Sequence, residues 1–237
     1  MNIVILEDAD FVGERRVVLD GRRFAHIVNV LKSKIGDCLR VGRLNGDLGS
    51  GVIVELFGSR VELEIDLDHA PPPPLPVCLL LALPRPKVLR RVLAAAVTMG
   101  VKEIFLFNSW RVEKSYWQTP WLAPESLREI SLLALEQAGD TRLPEIFLKS
   151  RFRPFAEDEV PLLARGRDAW LLHPQTGSGL SKMGGRAPAL VVVGPEGGFI
   201  PFEVEMLAAA GLEIVSLCPR ILRVEQAVPA VLGHFLI

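Results

Sequence analysis

The stretch APPPPLP at residues 70–76 limits the possible folds more than any other. Proline has no backbone N–H and fixes φ, so five prolines in seven residues exclude a helix and a central strand and leave a stiff, extended connector. Two domains are therefore expected, residues 1–70 and 77–237, joined by a Pro-rich linker at 71–76. At 237 residues and 49% hydrophobic content, each part holds enough apolar side chains for its own core.

Before the prolines the signals are those of a small β-barrel with one helix. RRFAHIVNVLKSKIG places Phe24, Ile27, Val28, Leu31 and Ile35 at helical spacing and ends at Gly36, a candidate C-terminal cap. Asn45-Gly46 is the preferred pair for a tight hairpin turn, and RVELEIDL alternates Val61, Leu63, Ile65 and Leu67 with polar residues. After the prolines the rhythm changes to continuous apolar segments, VCLLLAL, IFLF, EIFL, AWLLH, LVVV and EIVSL, separated by helical stretches. Strands of that kind belong to a parallel sheet covered on both faces, so an α/β domain is expected. One helix closes on Gly100, and another opens at Pro124 and closes on Gly139.

Composition excludes several classes. Cys38, Cys78 and Cys218 are odd in number and far apart, which signals neither a disulfide framework nor a zinc site, so no metal is expected and a reducing, cytoplasmic setting fits. No apolar run approaches the roughly 20 residues of a membrane span, and the N-terminus lacks the features of a signal peptide. The net charge of −1 averages over an uneven chain. Residues 15–43 carry Arg15, Arg16, Arg22, Arg23, Lys32, Lys34, Arg40 and Arg43 against only Asp20 and Asp37. Solvated faces are the commoner meaning of such a cluster, and RNA contact is the sharper one.

In an open α/β sheet, ligands bind beyond the carboxyl ends of the strands. Three loops expected there stand out: HPQTGSG (173–179), GPEGGF (194–199) and CPRILRVEQA (218–227). GPEGGF has neither the Lys-Ser/Thr pair of a P-loop nor the spacing of a dinucleotide turn, and Glu196 would repel a phosphate. Its glycines still permit close backbone approach to a ligand, and the carboxylate suits a cationic or hydroxyl-bearing one. Taken alone, a loop of this kind is more often a strand-to-helix turn with a structural glutamate.

LVVVGPEGGFIPFEVEML followed by SLCPRILRVEQA, together with HIVNVLKSKIGD, GVKEIFLFNSWRVEKS and EQAGDTRLPEI, resembles the ribosomal RNA (uracil-N3)-methyltransferases, the RsmE family of the SPOUT class. These segments fall in family order over nearly the whole chain. The resemblance implies a PUA-like β-barrel for RNA, then a trefoil-knotted methyltransferase domain that binds S-adenosylmethionine (SAM) and acts as a homodimer on 16S ribosomal RNA of the small subunit. It implies cofactor contacts, largely through backbone, at Leu172, His173, Gly194, Glu196, Gly197, Leu217, Pro219, Ile221 and Leu222. His173 reads equally as a histidine satisfied at a strand end.

Arg223 and Glu225 match the family's ILR-x-E motif beside the methyl donor. The N3 proton of uridine is not lost at neutral pH, so transfer needs the anion stabilised or the proton removed. Arg223 is assigned the first task. Glu225 either orients Arg223 or the nucleotide, or favours the N-terminus of the last helix. Arg16, Arg23 and Lys32 are the candidate phosphate contacts. Trp110, Trp117 and Trp121 could stack on bases, but core packing or dimer contact is the commoner use. Two other readings stay open: a non-catalytic RNA-binding relative, and an α/β enzyme using a different nucleotide-like cofactor.

Several positions depart from the family pattern. Its lysine and glutamate before Gly100 give way to a segment containing Ala95 and Thr98. Asp140 replaces an arginine, Cys218 a glycine and Gln226 a threonine. Ile200 stands where a Ser-like helix cap is expected, and Pro229 should kink the last helix or delay its start. Cys218 offers the same backbone groups as glycine only if its φ stays negative.

Overall fold

Val61, Leu63 and Ile65 are buried while Glu64 and Asp66 face solvent, as strict alternation in a half-buried strand requires. They belong to β5 (Arg60–His69) in a computed structural model that describes residues 2–174, 179, 182–183 and 188–236. Most of HPQTGSG lies outside the described residues. The chain divides into two units, Met1–Pro73 with Leu132–Leu143, and Pro74–Ser131 with Pro144–Ile237.

In the first unit, β5 pairs antiparallel with β4 (Leu48–Phe57) and β2 (Arg16–Leu19), β4 pairs antiparallel with β3 (Cys38–Arg43), and β1 (Val4–Leu6) lies parallel to β3. The order β1-β3-β4-β5-β2 leaves β1 and β2 as edges, so the sheet is an open, curled half-barrel. Val4, Leu6, Val17, Leu19, Ile27, Val41, Ile53, Val61, Leu63 and Ile65 fill it. A hairpin forms at Asn45-Gly46 as expected, but not as a two-residue turn: β3 and β4 are separated by residues 44–47, and Asn45 alone takes a left-handed φ of +59°. The Gly46 N–H goes to the Arg43 carbonyl at 2.8 Å, and the Asn45 side chain accepts the N–H of Leu143 at 2.9 Å.

The expected helix to Gly36 is shorter in the structure. α1 (Gly21–Ala25) continues as one π-helical turn, His26–Val30, and Lys32 then takes a left-handed φ of +56°. Ile27 is buried, but Leu31 and Ile35 are exposed, so no burial favours further turns. Gly36 is not the cap; its N–H goes to the Ile53 carbonyl at 2.8 Å.

The basic stretch is largely matched by acids distant in sequence. Arg15 faces Asp66, Arg16 faces Glu62 at 2.9 Å, and Arg43 faces Asp8 at 2.9 Å. Arg22 holds Glu136 through two bonds of 2.8 Å. Arg23 is engaged by the buried Asp10, with one contact at 2.6 Å, and also donates to the Ile5 carbonyl. Asp140 is buried and accepts the N–H of Arg142 at 3.0 Å.

The second unit is a six-stranded parallel sheet in the order β11-β9-β10-β6-β7-β8. Its strands are β6 (Val77–Ala82), β7 (Glu103–Phe107), β8 (Glu145–Lys149), β9 (Asp168–Leu172), β10 (Ala189–Val193) and β11 (Glu213–Val215). Each falls within or beside one of the six apolar segments. β6 and β10 are buried at every position, which requires cover on both faces. The helices are α2 (Pro86–Thr98), α3 (Pro124–Ala138, whose last turns belong to the first unit), α4 (Phe152–Pro154), α5 (Val160–Ala164), α6 (Pro201–Ala209) and α7 (Val224–Gly233), with a π-helical turn Phe155–Glu159 between α4 and α5. Gly100, at φ +90°, ends α2 as expected. α7 starts at Val224 and runs through Pro229, so the proline does not delay its start. Among the described residues no helix is long and apolar enough to cross a membrane.

Burial, reinforced by the Glu103 carboxylate, pushes the Cys78 thiol far above its ordinary range, whereas Cys38 is exposed. Thiolate is the reactive form, so iodoacetamide should label native Cys38 at least about ten times faster than Cys78, as read by peptide mass spectrometry. Equal rates would contradict this packing.

Candidate active site

β9, β10 and β11 end side by side, and the loops leaving them enclose a cavity of about 320 Å³. That is at the lower end of the roughly 300–1,000 Å³ typical of small-molecule sites. Leu172 and His173 follow from β9, Gly194, Glu196, Gly197 and Phe199 from β10, and Leu217, Cys218, Arg220, Ile221 and Leu222 from β11. The structure thus gathers eight of the nine expected cofactor positions on one wall system. Pro219 is not among the described lining residues, nor are Arg223 and Glu225.

Polar groups of the lining include unbonded backbone N–H groups together with the side chains of His173, Glu196, Ser216 and Arg220. Among the described residues, the N–H groups of Gly194, Gly197, Leu217, Ile221 and Leu222 donate to no protein acceptor. They belong to residues that line the cavity, as do the apolar residues Leu172, Val193, Leu217 and Leu222. A Cβ on Gly194 would come within 3.1 Å of the Phe199 ring, and one on Gly197 within 3.0 Å of the Arg111 side chain, so both walls admit glycine most easily. Cys218 stays out of the left-handed region and can present the same backbone groups as a glycine there. Among the described residues no group of three or more His, Cys, Asp or Glu side chains gathers to hold a metal.

Two expected contacts also have duties inside the protein. Glu196 accepts the N–H of Arg85 at 2.9 Å, at the cap of α2. The His173 N–H donates to the Val215 carbonyl at 2.9 Å, and Nδ1 lies 2.7 Å from the Pro174 carbonyl. Both residues also line the cavity.

Arg223 caps α7. Its N–H donates to Gln226 Oε1 at 3.2 Å and its carbonyl receives Gln226 and Ala227, while its exposed guanidinium has no partner among the described residues. Glu225, in the first turn of α7, lies 3.9 Å from Arg91. Of the tryptophans, Trp117 bonds Asn108 at 3.0 Å and Trp121 lies 4.1 Å beneath the Arg90 guanidinium. Trp110 is 79% exposed, which removes core packing from the expected core packing or dimer contact at that position; it lies in a strand-end loop held through its backbone.

The group that holds it is Glu203, a residue absent from the sequence-based candidates. Only 2% exposed, it accepts from Trp110 N–H at 2.7 Å, Ile200 N–H at 3.1 Å and the Ser109 hydroxyl at 3.3 Å. The signal was legible: a glutamate three residues after a helix cap can reach back to the cap's N–H. It answers the missing Ser-like cap, because the carboxylate from the first turn serves the N–H of Ile200.

The pattern of an RNA methyltransferase domain matches residues 71–236. The ribosomal RNA small subunit methyltransferase E of Treponema pallidum is 30% identical over 241 residues, 96% of this chain and 87% of that one. The chain belongs to the ribosomal RNA small subunit methyltransferase E family. The fold agrees with solved structures. The methyltransferase E of Neisseria gonorrhoeae bound to S-adenosyl methionine aligns with TM-score 0.76 at 23% identity, covering 98% of this chain and 95% of that one. A Legionella pneumophila protein with SAM bound aligns with TM-score 0.78 at 20% identity over 99% and 96% of the two chains. At three positions that depart from the pattern expected from the resemblance, Gln226 accepts the cap N–H of α7, Ala95 is half-buried and Thr98 is exposed on α2.

Proposed function

We propose that this protein transfers a methyl group from SAM to N3 of a uridine in the decoding region of 16S ribosomal RNA, acting in the cytoplasm as a homodimer. The observation that carries the reading is the cavity at the ends of β9, β10 and β11, walled by free backbone donors and apolar side chains, in a member of the methyltransferase E family. The reading includes a trefoil-knotted SPOUT threading of residues 77–237 and a PUA-like, RNA-binding role for the half-barrel of residues 1–70.

The residues suit this cofactor. Gly194, Gly197, Leu217, Ile221 and Leu222 would present N–H groups to the adenine and the amino-acid tail, with Leu172 and Pro219 beside them. Glu196 disfavours a phosphate and tolerates a sulfonium. When bound, SAM supplies an electrophilic methyl and leaves as a neutral thioether. Arg223 supplies the remaining requirement, a delocalised cation for the charge that develops on the uracil oxygens as the N3–H proton passes to water and N3 forms its bond to carbon. Glu225, in the first turn of α7 and 3.9 Å from Arg91 of α2, orients the nucleotide. Lys32 contacts phosphate, while Arg16 and Arg23 do so by leaving Glu62 and Asp10.

Calorimetric titration with SAM should give one site per chain; a folded sample that binds none would overturn the reading. Mass-spectrometric mapping of 16S ribosomal RNA from cells lacking the protein should show loss of N3-methyluridine. Persistence of that mark means a different target base, or an RNA-binding protein without catalysis.

A further inference from the structure

The Glu203 carboxylate has no cationic partner among the described residues, and both of its oxygens are used. Oε1 receives Trp110 N–H, and Oε2 receives Ile200 N–H and the Ser109 hydroxyl. One buried group thus joins the segment leaving β7 to the start of α6, immediately after the glycine loop. The two segments also meet on the cavity side. Arg111, next to Trp110, donates its guanidinium to the Gly197 carbonyl, and Phe199 stacks on Phe107 at the end of β7 with ring centroids 6.2 Å apart. We infer that Glu203 is a positioning residue for the cofactor: it fixes the Ser109–Arg111 segment so that Arg111 clamps Gly197 and holds the glycine loop in its binding geometry. This rests on the reading of the cavity as a SAM site.

Glu203→Leu removes both tethers, because no acceptor is left for Trp110 N–H or Ile200 N–H. The loss of the buried Trp110 tether corresponds to about tenfold in affinity. Calorimetry should therefore show SAM binding about tenfold weaker in Glu203→Leu, with KM for SAM raised by a similar factor and kcat within about twofold. Adding Ile200→Ser gives α6 its own cap without restoring the Trp110 tether, so Tm should recover in part while affinity does not. Arg111→Met leaves Glu203 intact and removes the clamp; it should weaken binding by about the same factor with Tm unchanged.

Unchanged affinity in Glu203→Leu or Arg111→Met, or recovery of affinity together with Tm in the double variant, overturns the inference while the SAM reading stands. Failure of the unsubstituted protein to bind SAM overturns both.

Discussion

Arg223→Ala is expected to lower methyl transfer by about 100- to 1,000-fold, the range seen when a group that stabilises developing charge is removed, while leaving SAM affinity unchanged. The separation follows from position. Arg223 caps α7 just beyond the cavity-lining Ile221 and Leu222, and is not itself among the described lining residues. Its side chain contributes nothing visible to the fold: the guanidinium has no partner among the described residues. A cation at a helix N-terminus also opposes the helix dipole. Thermal stability should therefore be unchanged or slightly raised in the variant, and single-turnover transfer from labelled SAM to small subunits should reveal the defect. Arg223→Lys should recover only part of the rate, because a point charge does not reproduce a planar, delocalised one. Full activity in Arg223→Ala would remove the residue from the mechanism.

Gly49→Ala should be the most damaging single methyl in the first unit. A Cβ there would lie 1.9 Å from the Asp66 carbonyl oxygen and 2.7 Å from Leu67 Cα, both backbone atoms of the paired strand. Side chains can rotate away, but a paired strand moves only by giving up its ladder. The register shift between Leu48 and Gly49 marks the spot as a bulge, where close backbone approach is usual. A loss of about 3–5 kcal/mol is expected, above the usual cost of overpacking. Gly51→Ala is the control. Its Cβ would meet only side-chain methyls, at 3.1–3.4 Å, and about 1 kcal/mol should be lost. Urea midpoints of the two variants, followed by far-ultraviolet circular dichroism, would test the contrast. Similar midpoints would show that β4 and β5 can separate at little cost.

These two residues differ in how visible they are from sequence. Arg223 stands in a motif whose chemistry can be argued from residue types, and its place beside the cavity was expected. Gly49 carries no motif; its importance comes from the Asp66 carbonyl opposite it, seventeen positions away. The arginines show the same limit. Residues 15–43 look strongly basic along the chain, but Arg15, Arg16, Arg22, Arg23 and Arg43 each meet a carboxylate brought from elsewhere. Glu203 lies between these cases, since its capping spacing was legible while its bonds to Ser109 and Trp110 were not.

Periodicity and turn chemistry by themselves determined the strands of the second unit, the ends of α2 and α3, and the Asn45 hairpin, because each depends on neighbours within a few residues. The same local rules extended the first helix too far, since they count apolar spacing and cannot know that Leu31 and Ile35 meet no core. The cavity residues were expected from the family resemblance and from no local rule, and tertiary structure alone decided which arginines are already paired and what holds the glycine loop. Those are contacts between segments far apart in the chain, set by sheet order and register, and sheet order was not encoded in any single segment.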